Sequence, residues 1–138
     1  MKKRGLLNPE LNYTLSALGH TDGLCICDAG LPIPEEVNRI DLALVRGVPG
    51  FVETLEAILS EMEVEKAILA EEIKEASAGL HAEIRERLGD IPVEYLSHAQ
   101  FKEQVFETRG VVRTGEFTPY ANIILISGVK KLFERYGG

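Results

Sequence analysis

His20 stands in the run Gly19-His20-Thr21-Asp22, and Cys27-Asp28-Ala29-Gly30-Leu31-Pro32-Ile33-Pro34 follows after a short apolar stretch. A histidine and two carboxylates therefore fall at the two edges of what reads as a buried strand. A rigid sheet commonly displays its chemical groups at such edges. His20 lies just past the first helix, whose partly negative C-terminus favours an imidazolium, and Asp22 is close enough to add to that pull. His20 is thus a candidate proton donor. His98 follows Ser97 at the opening of another helix, where the positive end of the dipole disfavours a second proton. It is a candidate acceptor, or a holder of a water that accepts. A lone histidine in an arbitrary sequence is more often a surface or capping group, and His81, among Glu83, Arg85 and Glu86, is assigned to solvent.

Asp28 closes the apolar run and precedes Ala29-Gly30, which permits close approach of a ligand. A turn-forming Asp bonded to its own backbone reads the same way. Tyr120 and Asn122 are two residues apart at the start of an apolar strand, so both would point to one face and offer a hydroxyl and an amide to a polyol. Lys102 falls one helical turn after His98 and could lie beside it, although a solvated lysine is the default. Glu61, Glu63, Glu65, Glu71 and Glu72 read as solvated charge, and Arg113 to Glu116 as a turn with a local ion pair. Cys25 and Cys27 share one face of a strand. A disulfide between them would be strained and a zinc site would lack ligands, so they read as reduced core thiols with no metal. No glycine spacing suits a phosphate loop.

The elements that must position these groups alternate helix and strand. Asn8 caps a first helix with Pro9 at its first position and Leu11, Leu15 and Leu18 on one face, and Gly19 closes it in a left-handed cap. Gly23 to Asp28 is a buried strand, and Ile40, Leu42 and Leu44 alternate as a second. Pro32 and Pro34 keep the loop between them extended. A helix from Pro49 carries Phe51, Leu55, Ile58, Leu59 and Met62. The Ala, Glu and Lys of the stretch Val64 to Ile73 also suit a helix, and Lys66 to Ala70 within it is read as a strand. Ser77 caps a helix with Leu80, Ile84 and Leu88 inward and Gly89 as its stop. Val93 and Tyr95 mark a strand, Ser97 with Gln100 forms a capping box before Phe101 and Val105, and Gly110 to Arg113 and Asn122 to Ile126 complete the strands. The expected fold class is α/β: a single-domain layered fold over residues 1–138, with a largely parallel central sheet flanked by helices.

Composition narrows the partners. A chain of 138 residues that is 45% hydrophobic is one domain's worth, and about two thirds of its unfolded surface can be buried. With 22 Asp and Glu against 15 Lys and Arg, the net charge of -7 and the lack of a basic stripe exclude nucleic acid as the expected partner. Asn8, Pro9 and Glu10 cut short the apolar run after Met1-Lys2-Lys3-Arg4, so no signal peptide is expected, and no run approaches the roughly 18 residues of a membrane span. The expected location is the cytoplasm.

The Gly19-to-Asp22 and Cys27-to-Pro34 segments, taken with Thr118-Pro119-Tyr120-Ala121-Asn122-Ile123-Ile124-Leu125, resemble the D-ribose pyranase family (RbsD), whose larger group includes fucose mutarotase. The likeness runs from about Lys2 to Val129 and takes in Arg39-Ile40-Asp41, Gly47-Val48-Pro49, Ala70-Glu71-Glu72-Ile73 and His98-Ala99-Gln100-Phe101-Lys102. It implies a cofactor-free isomerase that interconverts pyranose and furanose forms, and anomers, of free D-ribose by opening and reclosing the ring. By the resemblance His20 is the proton donor, and Asp28, His98, Tyr120, Ala121 and Asn122 bind the sugar. Lys102 and Asp22 are possible additions. Fucose mutarotases tend to have Gly-Asp-Glu after the histidine, Phe-Pro after the aspartate and Tyr-Gly-Asn; this chain follows the ribose pattern at each. A fucose-type mutarotase and a non-catalytic sugar-binding protein are the alternatives. The family also implies a homo-oligomer, a decamer of two pentameric rings. The tail from Lys130 to Gly138 extends past the family's usual end.

Overall fold

The computed structural model describes residues 1–136. Six strands form one sheet in the order β2-β5-β1-β6-β3-β4: β1 (Gly23–Cys27), β2 (Arg39–Asp41), β3 (Val64–Ala70), β4 (Val93–Leu96), β5 (Gly110–Arg113) and β6 (Ile123–Ser127). Five run in one direction, and β6 lies antiparallel between β1 and β3. The α/β layered expectation with a largely parallel sheet holds.

Alternation along each strand feeds two cores. Leu24, Ile26, Ala67, Leu69, Ile123 and Leu125 face a layer that holds Leu11 of α1 (Pro9–Ala17), Phe51, Leu55 and Ile58 of α2 (Phe51–Leu59), and Ile84 and Leu88 of α4 (Ala78–Leu88). Cys25, Cys27, Ile68, Val111 and Ile124 face the other way, against Phe101 and Val105 of α5 (His98–Val105) and Leu31 and Val37 of the loop after β1. Each fully buried side chain of this size is worth about 1.5–3 kcal/mol, so the sheet is fixed from both faces. The shared face of Cys25 and Cys27 is as expected, and both are buried free thiols.

Several local expectations are corrected. The first helix is capped by Leu18 in an extended conformation, and Gly19 is not left-handed. The Asp22 carboxylate accepts the Gly19 N–H at 2.8 Å, and the left-handed residue of this turn is Thr21, with φ 72°. The second strand stops at Asp41, because the Asp41 carboxylate takes the Ala43 N–H and leaves Leu44 exposed in the following turn. The strand read from Lys66 starts earlier, at Val64, and a short α3 (Ile73–Ala76) follows it. Ser77 precedes α4, but its hydroxyl donates to the Pro119 carbonyl at 2.6 Å rather than capping the helix. Arg113 and Glu116 form no local pair. Arg113 reaches Asp41 at 3.2 Å, while Glu116 accepts the Phe51 N–H at 2.9 Å. That bond anchors the N-terminus of α2, and N–H and hydroxyl donors at Phe51, Thr118 and Phe117 outweigh burial and hold Glu116 below its ordinary range. His81 is half-buried rather than solvated, with Nε2 2.7 Å from the Tyr95 hydroxyl. Burial, helped by Arg85 and Lys74, lowers its pKa.

Candidate active site

The carboxyl ends of the five parallel strands gather most of the expected groups, the edge at which open α/β sheets bind ligands. Asp28 leaves β1, Asn122 enters β6 beside it, and Ser97 ends β4 with a capping box that sets His98 at the first position of α5. The fully buried Phe101, one turn further along, pins that helix to the sheet.

Asp28, Gly30, His98, Tyr120 and Asn122 line one cavity of about 310 Å³. Asn122 is buried and its amide oxygen accepts the Asp28 N–H at 3.0 Å. Asp28 Oδ1 accepts the Gly30 N–H at 3.0 Å, so the self-bonded turn and the cavity wall are one arrangement. Burial raises the Asp28 pKa, opposed by the Gly30 and Leu31 N–H groups, Asn122 and the nearby His98. The His98 and Tyr120 rings meet edge to face at 5.1 Å. His98 lines the cavity, and its Nδ1 is buried with no hydrogen-bond partner among the described residues, an orphaned polar atom of the kind that calls for an explanation. Its backbone N–H donates to the Glu72 carboxylate at 3.0 Å. The cavity offers a carboxylate, an amide, a phenol and an imidazole on a fixed frame, a set that can hold several hydroxyls at once.

Tyr120 and Asn122 share the cavity for a different reason than strand alternation. Tyr120 sits in a turn before β6 with φ 60°, and that left-handed step, sparsely populated by non-glycine residues, turns its ring toward His98. Ala121 is fully buried and its side chain joins the core, not the cavity wall. Lys102 is exposed and outside the lining.

His20 and Asp22 lie at the other edge of the sheet. The backbone there is knitted by Thr21 N–H to Ser127 O at 2.9 Å and Ser127 N–H to Asp22 O at 2.8 Å. Asp22 is lowered in pKa by the Gly19 N–H first and by Arg109, and it pairs with Arg109 at 3.2 Å. His20 instead meets Glu65, Nε2 to Oε2 2.9 Å. Gly128 makes this possible: a Cβ there would lie 2.9 Å from the Glu65 Cβ. Glu65 and Glu72, both read as solvated charge, are the groups sequence reasoning missed. Glu65 meets His20 across strands β1, β6 and β3, and no local pattern announces it.

Comparison with known proteins agrees with this frame. Residues 1–130 match the model of the RbsD / FucU transport protein family, and the chain belongs to that family. It is 54% identical to a D-ribose pyranase of Geobacillus kaustophilus, over 94% of this chain and 95% of the relative. It is 52% identical to one of Clostridium perfringens, over 94% and 98%. The Bacillus subtilis RbsD structure complexed with D-ribose has 47% identity and a TM-score of 0.91, with 94% of this chain and 98% of that one covered. The fucose mutarotase of Streptococcus pneumoniae, in complex with L-fucose, is further off at 26% identity and TM-score 0.80, over 93% and 99%.

Proposed function

We propose that this chain is a D-ribose pyranase of the cytoplasm. The observation that carries the reading is the convergence of the polar side chains of Asp28, His98, Tyr120 and Asn122 on one small cavity, in a chain 54% identical to a protein of that activity. Opening a cyclic hemiacetal requires a proton delivered to the ring oxygen and another removed from the anomeric hydroxyl. The freed carbonyl is then attacked by a different hydroxyl after rotation. His20 delivers the first proton, and His98, directly or through a water, takes the second. Asp28, Tyr120 and Asn122 hold the remaining hydroxyls. Each acid or base group supplies on the order of 10² to 10⁴-fold, enough for a reaction that already proceeds unaided.

His20 and the cavity stand at opposite ends of β1, on the order of 20 Å apart at about 3.3 Å per residue. One pentose cannot touch both. The reading therefore places the working site between two subunits, with His20 of one completing the cavity of the next, in a closed homo-oligomeric ring; two such rings of five make the expected decamer.

Saturation-transfer NMR of ribose with and without protein tests the activity: exchange between ring forms should accelerate for ribose and not for fucose. Bound ribose without acceleration would leave a sugar-binding protein instead, and acceleration of fucose alone a mutarotase. For the shared site, separately inactive His20→Ala and Asp28→Ala subunits are unfolded and reassembled together. Partial recovery is expected; none in properly reassembled mixtures would return both residues to one subunit's pocket.

A further inference from the structure

The family match ends at residue 130, where a further helix, α6 (Lys130–Tyr136), begins. Val129, Leu132, Phe133 and Tyr136 fall at i, i+3, i+4 and i+7, the spacing of a helix face meant for burial. None of the α6 residues is buried, and Leu132, Phe133 and Tyr136 are 38%, 61% and 77% exposed. A helix this short is marginal alone in water, so the stripe calls for a partner. Lys130 and Arg135 flank the stripe on its two margins and Lys131 and Glu134 lie opposite it, so the stripe has a basic border in a chain of net charge -7.

A groove of about 850 Å³ beside the sugar cavity has the complementary character. It shares Tyr120 with that cavity, carries Glu71, Glu72 and Glu75, and is walled by Tyr95 and Leu96. Its one cation, Lys74, is occupied by Glu71 at 2.9 Å and by the Tyr95 ring at 3.9 Å. The helix cannot reach the groove of its own subunit. It starts at the His20 edge, where the Gly128 N–H donates to Glu63 O at 2.9 Å, whereas the groove lies past the far ends of β3 and β4. Crossing the length of β3 takes roughly 20 Å, and α6 spans about 10 Å.

We propose that α6 of one subunit seats its apolar stripe in the acidic groove of a neighbouring copy of this chain, so that the terminal helix clasps the boundary where His20 meets that copy's cavity. This rests on the shared-site reading, which supplies the juxtaposition of the His20 edge with a neighbour's cavity. Phe133 and Tyr136 then lie against Tyr95, Leu96 and Tyr120, and Lys130 and Arg135, at the margins of the stripe, face the glutamates at the rim.

The test is a disulfide trap in the full chain. Cys25 and Cys27 are buried, so a Phe133→Cys, Ala76→Cys variant and a second pair, Arg135→Cys with Glu75→Cys, report only the designed contact. Mild oxidation should link chain to chain in at least one pair and in none of the four single variants. Linkage within one chain, or none in either pair, overturns the proposal. Alongside it, Lys130→Glu, Arg135→Glu should raise the KM for ribose several-fold, as should Glu71→Lys, Glu75→Lys, and the combined variant should recover most of the loss. Absence of that recovery also overturns it. The His20→Ala and Asp28→Ala mixing experiment reads the shared site separately: chain-to-chain linkage without regained activity keeps the helix seat and removes the shared site.

Discussion

The imidazole of His20 and the carboxylate of Glu65 meet at 2.9 Å, although the two residues belong to different strand entries and neither neighbours the other in the sheet order. A carboxylate on Nε2 fixes the ring orientation and leaves Nδ1 to face outward. Both groups are partly open, at 53% and 37% exposure, so the pair contributes at most about 1 kcal/mol to stability. On the reading of His20 as the proton donor, its consequence is orientation of that group.

Glu65→Ala should therefore slow ribose ring exchange by about tenfold or more, within the range a positioned acid supplies, while ribose affinity and melting temperature change little. Glu65→Gln, which can still hold the ring, should recover part of the rate. His20→Ala should abolish catalysed exchange and retain much of the binding. NMR exchange rates and calorimetric titration separate these outcomes, and native rates in Glu65→Ala would remove its positioning role.

Asp28→Asn should trade function for stability. Burial raises the Asp28 pKa, so the folded state favours the protonated carboxyl: its favourable contribution is complete below the ordinary carboxylate value and is lost as pH rises through the raised one. An amide carries no such cost at neutral pH. The variant should melt above the native protein at pH 7, lose that advantage as pH falls below the ordinary carboxyl range, and bind ribose more weakly. A pH series of melting curves with an unchanged difference would contradict the assignment.

The two thiols should be silent in the native protein. Burial pushes Cys27 up to about 12 and Cys25 well above its ordinary value, and the thiolate is the reactive form. A thiol-specific colour reagent should find neither group until denaturant is added and both afterwards. Rapid labelling of either in buffer would mean that the β1 core opens far more readily than its packing implies.

Phe101→Ala should cost about 3–5 kcal/mol, the usual range for a fully buried phenylalanine. Because Phe101 holds α5 against the sheet one turn from His98, ribose affinity should fall as well at temperatures where the fold survives. Chemical denaturation gives the first quantity and sugar titration the second.

Much of the frame was legible because local physics set it. Ser97 with Gln100, Pro9 after Asn8 and the apolar run at Gly23 to Asp28 each act within a few residues, and each element begins where its pattern put it. Asp28, His98, Tyr120 and Asn122 were visible through their types and the family likeness. What stayed hidden was relational. Glu65 reads as one more charge in an acidic stretch until β3 and β6 pair and Gly128 lets the backbones close. Glu116 reads as half of a local ion pair until α2 brings the Phe51 N–H to it, and Tyr120 reads as a strand residue although its left-handed turn does the aiming. The overlong second strand failed for a nearer reason: Asp41 turned back on the Ala43 N–H and ended it.

On the shared-site reading, His20 and Asp28 at opposite edges of one stiff sheet make the number of working sites in any assembly a count of its boundaries. A closed ring has as many boundaries as members, an open arc of the same members has one fewer, and a lone chain has none. Dilution would then extinguish activity while every chain stays folded, because mass action governs the boundaries and not the fold. Specific activity would serve as a gauge of association, and closing the last gap in an arc would add a single site to those the arc already holds.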